Sequence, residues 1–173
     1  MTALVFVDTN LFVYAHQANE PLKQPVARRW LERLWGDHSG RTSVQVLNEY
    51  YATLTRKIKP GVAAADAWDA VRNLMAWNPQ PIDCDLLSSA HEIERRYQLS
   101  WWDSLIVGSA QAQSCSLLLT EDLQDRALFG TVTVRNPFVL GVAEPEAEYA
   151  ITAAVTSRHR PRGRPKRVKD RLA

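Results

Sequence analysis

Cysteine is scarce in this chain: Cys84 and Cys115 are the only two in 173 residues. They are too few and too far apart for a disulfide framework, so they read as reduced, buried thiols in a cytoplasmic protein. The four histidines, His16, His38, His91 and His159, show no ligand spacing among themselves or with the cysteines, which argues against a zinc site. Long apolar runs are missing too. The first, Leu4 to Val7, stops at Asp8 and has no basic leader before it, so neither a signal peptide nor a membrane span is expected. The charge excess is small, +2, but unevenly placed. From Arg158 onward eight Lys or Arg face Asp170 alone, a net of +7, leaving thirteen basic against eighteen acidic residues before it, −5. A mildly acidic body with a basic tail suggests that the tail meets a polyanion the body repels.

With 46% hydrophobic residues, the chain has enough for one substantial core. Leu4-Val5-Phe6-Val7 and Leu117-Leu118-Leu119 are short and apolar throughout, the pattern of strands buried on both faces, and Val132-Thr133-Val134 is a third candidate. Brief strands are also expected near Arg41 to Val44 and around Ile82. Between them lie helical patterns: Leu11 to Ala15, a stripe through Val26, Trp30, Leu31 and Leu34, another through Leu47, Tyr50, Tyr51 and Leu54, one through Trp68, Val71, Leu74 and Met75, then Leu86 to Tyr97 and Ser104 to Ala110. Ser43 is placed to cap the third of these, and Ser100-Trp101-Trp102-Asp103 has capping-box spacing. Strands alternating with helices predict an α/β fold: a parallel sheet, helices on both faces.

Both strongly apolar strands run into acids, Asp8 and Asp122, and in a parallel sheet those strand ends share one edge. Glu49 and Asp103 lie in helices whose starts face the same edge. Converged carboxylates need a compensating cation, and an all-oxygen set suits Mg²⁺ or Mn²⁺. Each acid also has a plainer reading. Asp8 and Asp122 suit turns or helix caps, Asp103 suits a helix dipole, and periodicity puts Glu49 opposite its helix's apolar stripe, where a solvated acid is ordinary. Trp101 and Trp102 suit either a core or base stacking.

Val7-Asp8-Thr9-Asn10, Asn48-Glu49, Trp102-Asp103-Ser104-Leu105 and Leu119-Thr120-Glu121-Asp122 occur in the order and local context of the PIN-domain nucleases. The chain resembles that family from about Leu4 to Val139, most closely the VapC-type toxin ribonucleases. The resemblance implies a PIN-like sheet of about five parallel strands and Mg²⁺- or Mn²⁺-dependent hydrolysis of RNA. It makes Asp8, Glu49, Asp103 and Asp122 the catalytic metal ligands. Thr9, Asn10 and Ser104 become supporting neighbours and Asp125 an additional or substitute acid, while the cap of the first helix passes to Thr9 or Asn10. It further implies a homodimer and a cognate antitoxin. The alternatives are a non-catalytic DNA-associated regulator and a DNA-cleaving nuclease of the same family.

The division expected is a nuclease domain over residues 1–140, a linker or short helix over 141–157, and a basic tail over 158–173. In that tail Arg160, Arg162, Gly163, Arg164, Lys166 and Arg167, interleaved with Pro161 and Pro165, resemble an AT-hook, in which an extended chain lays arginines into a narrow minor groove. The plainer reading is a disordered basic segment with general affinity for nucleic acid.

Overall fold

A computed structural model describes residues 3–139; the linker and the AT-hook-like tail lie outside the described residues. The elements run β1 (Val5–Val7), α1 (Thr9–His16), α2 (Lys23–Gly36), β2 (Gly40–Arg41), α3 (Val44–Ala52), α4 (Ala64–Leu74), α5 (Cys84–Tyr97), α6 (Trp101–Ala112), β3 (Leu117–Leu119), β4 (Leu128–Phe129) and β5 (Val132–Arg135). The sheet order is β2-β1-β3-β5-β4. The first four strands of that order pair in parallel, as the alternating pattern requires, while β4 closes the edge antiparallel to β5. Too short to show a period of two, β4 was not foreseen; Gly130 at φ 63° turns the chain from it into β5.

Two other expectations fail locally. No strand forms around Ile82, which is exposed; instead Gln80 makes a single parallel bridge with Ser43 beside the Pro79 and Pro81 breaks. Cys84, expected buried, is exposed, whereas Cys115 is buried and its thiol is pushed up to about 12 by desolvation. Both are free.

The strands are short but wholly apolar where they count. Phe6, Val7, Leu118 and Leu119 are fully buried, as are Trp30, Leu54 and Val107 from the helices. Helix α6 packs on β3 and β5 with α5 behind it, and α1 packs on α2 and α3. Trp77 closes the far edge: Phe12 and Trp35 meet it at 5.6 and 5.3 Å between ring centroids, and its ring lies so close over Gly40 that a Cβ there would stand 2.6 Å away. Trp101 is half-buried beside Leu86, Ala90 and Leu105, while Trp102 is exposed. Among the described residues no helix is long and apolar enough to cross a membrane.

The chain leaves β1 for β2 on one side and later returns to β3 on the other. The gap between β1 and β3 is thus a topological switch point, the place where open α/β sheets bind ligands. Val7 stands in register with Leu119, so the next residues, Asp8 and Thr120, emerge side by side.

Candidate active site

Asp8 is the centre of the crevice. Its backbone is extended, its N–H donates to the Leu119 carbonyl at 3.1 Å, and its Oδ1 accepts the Thr9 N–H at 2.7 Å. Asp8 is therefore itself the N-cap of α1. This corrects the expectation that Thr9 or Asn10 would take the cap: Thr9 already has helical backbone, and a carboxylate has a second oxygen to offer elsewhere. That second oxygen, Oδ2, accepts the Thr120 hydroxyl at 2.8 Å.

Thr9 and Asn10 join Asp8 to the other acids. The Thr9 hydroxyl donates to Glu49 Oε2 at 3.1 Å, and Asn10 Nδ2 donates to Asp122 Oδ2 at 2.7 Å. Thr120 completes the second link by accepting the Asp122 N–H at 3.1 Å. Glu49 is solvent-exposed on α3, as its periodicity indicates, yet its exposed face is the one turned to the crevice.

The electrostatics follow from this crowding. The Asp8 carboxyl is pushed up to about 6 from an ordinary 3.8, first by burial, with the Asp122 and Glu49 charges adding to it; the bonds from Thr120 and Thr9 oppose the rise. Three acids thus feel one another across the β1–β3 gap. They are not drawn into a cage: among the described residues no group of three or more His, Cys, Asp or Glu is close enough to enclose a metal.

Asp103 arrives on the first turn of α6, where its N–H donates to Ser100 Oγ at 3.1 Å and its Oδ2 accepts the Ser100 hydroxyl at 2.7 Å. Half of the expected capping box is formed: Ser100 caps the Asp103 N–H, while the return bond runs from the Ser100 hydroxyl rather than from its N–H. Ser104 is fully buried and donates back to the Ser100 carbonyl at 2.8 Å, a bond within the helix that leaves it structural. Asp125 is turned away to a different task. Its Oδ1 accepts Arg135 Nε at 3.3 Å and the Asn136 N–H at 2.8 Å, bracing the β3–β4 loop against β5. An acid so engaged is a poor substitute for Asp122.

Three residues in or beside the site lie outside the set expected from the sequence. Thr120 carries a signal, because a hydroxyl two residues before an acid can accept that residue's N–H. Gln45, one turn before Glu49, reaches the Glu49 carboxylate, and helical i,i+4 spacing announces that contact. Glu121 carries no such signal: Tyr14 donates to it at 2.6 Å and Lys23 at 2.7 Å, across about a hundred residues of chain.

The donor set is carboxylate and hydroxyl oxygen around a negatively charged, partly buried crevice, with the Asn10 and Gln45 amides donating to the carboxylates. It fits a hard divalent cation such as Mg²⁺ or Mn²⁺ and does not fit zinc, which prefers nitrogen and sulfur.

Comparison with known proteins agrees with this geometry. No curated protein matches the sequence. The solved structure of VapC20 from Mycobacterium tuberculosis, described as a sarcin-ricin loop cleaving toxin, superposes with a TM-score of 0.53 at 24% identity, covering 68% of this chain and 91% of that one. At that identity the likeness is one of fold. The PIN domain family model matches residues 5–127, from the first residue of β1 to the loop beyond Asp122. With most of the chain matched and the acids meeting at the switch point of a five-stranded sheet, this chain belongs to the PIN-domain family.

Proposed function

We propose that this protein is a metal-dependent endoribonuclease, the toxin of a toxin–antitoxin pair. The observation that carries the reading is the Asp8 carboxyl, held by Thr9 and Thr120 and pushed up first by its burial and then by the nearby charges of Asp122 and Glu49. Burying such a charge among others of its own sign costs stability, and a site for a cation supplies the reason.

Asp8, Glu49, Asp103 and Asp122 would hold Mg²⁺ or Mn²⁺. When bound, such a cation supplies Lewis-acid charge for a phosphodiester and a water of lowered pKa. The chain's own residues do the rest. Asp8 and Glu49 are fixed by Thr9 from one point at the start of α1, and Thr120 and Asn10 set Asp122 beside them. Asp8, which holds a proton up to about pH 6, must release it before it can serve as a ligand. Nucleic acid is then placed by its phosphate rather than its bases. VapC20 is described as a sarcin-ricin loop cleaving toxin; structured RNA is the substrate class we assign, with an antitoxin and a second copy of this chain as partners. In the division proposed, residues 1–140 cleave and the basic residues of 158–173 recruit nucleic acid.

Cleavage of matched RNA and DNA oligonucleotides in Mg²⁺, Mn²⁺ or EDTA tests this. RNA should be cut with metal and spared in EDTA, and Asp8→Asn should lose about 4 kcal/mol of transition-state stabilisation, roughly a thousand-fold in rate. An undiminished Asp8→Asn overturns the assignment, and cutting confined to DNA transfers it to the DNA-cleaving alternative.

A further inference from the structure

Gln45 sits one turn before Glu49 on α3 and is buried, 5% exposed. Its Nε2 donates to Glu49 Oε1 at 3.1 Å and to the Trp102 carbonyl at 3.5 Å. Both partners only accept, so the side chain's orientation is dictated: the NH₂ must face them and the carbonyl oxygen must point away. That oxygen, Oε1, is buried and has no hydrogen-bond partner among the described residues. A residue chosen for packing alone would be apolar here, since an orphaned buried acceptor is a standing cost.

The two bonds join two acid-bearing elements. Glu49 is gripped on one carboxylate oxygen by Gln45 and on the other by the Thr9 hydroxyl, which removes its freedom to rotate. Trp102 is the residue immediately before Asp103, so the second hydrogen of the same amide ties the first turn of α6 to α3. A neutral amide also makes this tie without adding positive charge. A lysine or arginine in its place would pair with Glu49 and cancel the charge a cation needs.

We infer that Gln45 is a positioning residue, which ties Glu49 to the first turn of α6, the turn that carries Asp103, through one side-chain amide and so orients the Glu49 carboxylate for a divalent cation. The inference rests on the metal-site reading of the preceding subsection. Outer partners of this kind orient the groups that touch a metal.

The test is calorimetric titration of Mn²⁺ into the purified full chain and its Gln45→Met, Gln45→Ala and Glu49→Gln variants, each also melted in EDTA. Methionine keeps length and bulk but donates nothing. Both Gln45 variants should bind Mn²⁺ about tenfold more weakly than the parent, with kcat lowered, KM for RNA unchanged and melting in EDTA little moved. An affinity equal to the parent's in either folded Gln45 variant, with Glu49→Gln weakened, overturns the positioning role alone. Failure of both Gln45 variants to fold also overturns it, because Gln45 would then belong to packing. A parent chain that binds no Mn²⁺, or binding untouched by Glu49→Gln, instead removes the metal-site reading and this inference with it.

Discussion

Two acidic neighbourhoods border the crevice, one following β3 and the other joining the end of β1 to α3, and they are balanced in opposite ways. Glu121 and Asp125 meet fixed cations: Lys23 at 2.7 Å and Arg135 at 3.3 Å. Lys23 also lies 4.2 Å over the Tyr14 ring and 5.1 Å over that of Phe138. Burial works against its charge, yet the bonds to Glu121 and Tyr14 more than offset this and its pKa is raised. Asp8 and Glu49 are held instead by neutral donors, the Thr9 N–H and hydroxyl, the Thr120 hydroxyl and the Gln45 amide. The first arrangement is electrically complete and behaves as a brace. The second keeps its negative charge and is unfavourable until something positive arrives.

The largest effect expected from this contrast concerns Asp8. Its pKa of about 6 in the folded chain exceeds the ordinary 3.8, so the folded state binds the proton more tightly than the unfolded state. The resulting stability is complete below about pH 4 and is lost as pH rises through 6, a cost on the order of 3 kcal/mol for the cation-free protein. Asp8→Asn should therefore melt higher than the parent in EDTA at pH 8, with the gain vanishing near pH 4, even as it abolishes cleavage. A scan across that range checks it, and a lower melting temperature at pH 8 would break the comparison.

The brace should respond in the reverse sense. Asp125→Ala leaves the buried Arg135 guanidinium short of one carboxylate and should destabilise the fold by about 2 kcal/mol, read by urea unfolding, with Mn²⁺ affinity unchanged. Thr120→Val sharpens the boundary between the two. It removes a bond that lowers the Asp8 pKa, so the pH at which Mn²⁺ binding reaches half its maximum should move upward, with about 1 kcal/mol lost in stability. The smallest effect belongs to Lys23→Met, a partly exposed pair whose loss should cost about 1 kcal/mol or less and fade in salt. A large loss of Mn²⁺ affinity in Lys23→Met would show that the brace and the site are one unit.

Several features were legible because they depend on neighbours in the chain. Runs such as Leu117-Leu118-Leu119 announce strands buried on both faces, Ser43 and Ser100 announce caps, and the order of Asp8, Glu49, Asp103 and Asp122 announces the family. The antiparallel β4 and the missing strand at Ile82 were not legible, since two-residue pairings are decided by what lies alongside. Sequence ranks Asp122 over Asp125 because it abuts the strand, but it does not reveal that Glu121 meets Lys23 and Asp125 meets Arg135.

The sequence by itself determined the alternation of strands and helices and the four acids, because periodicity, capping and motif order are local properties of the chain. Only the tertiary structure decided which acid meets a lysine, which an arginine and which a threonine. Those partners come from elements up to 112 residues apart, and whether a carboxylate stays charged depends on the burial and dipoles they create together.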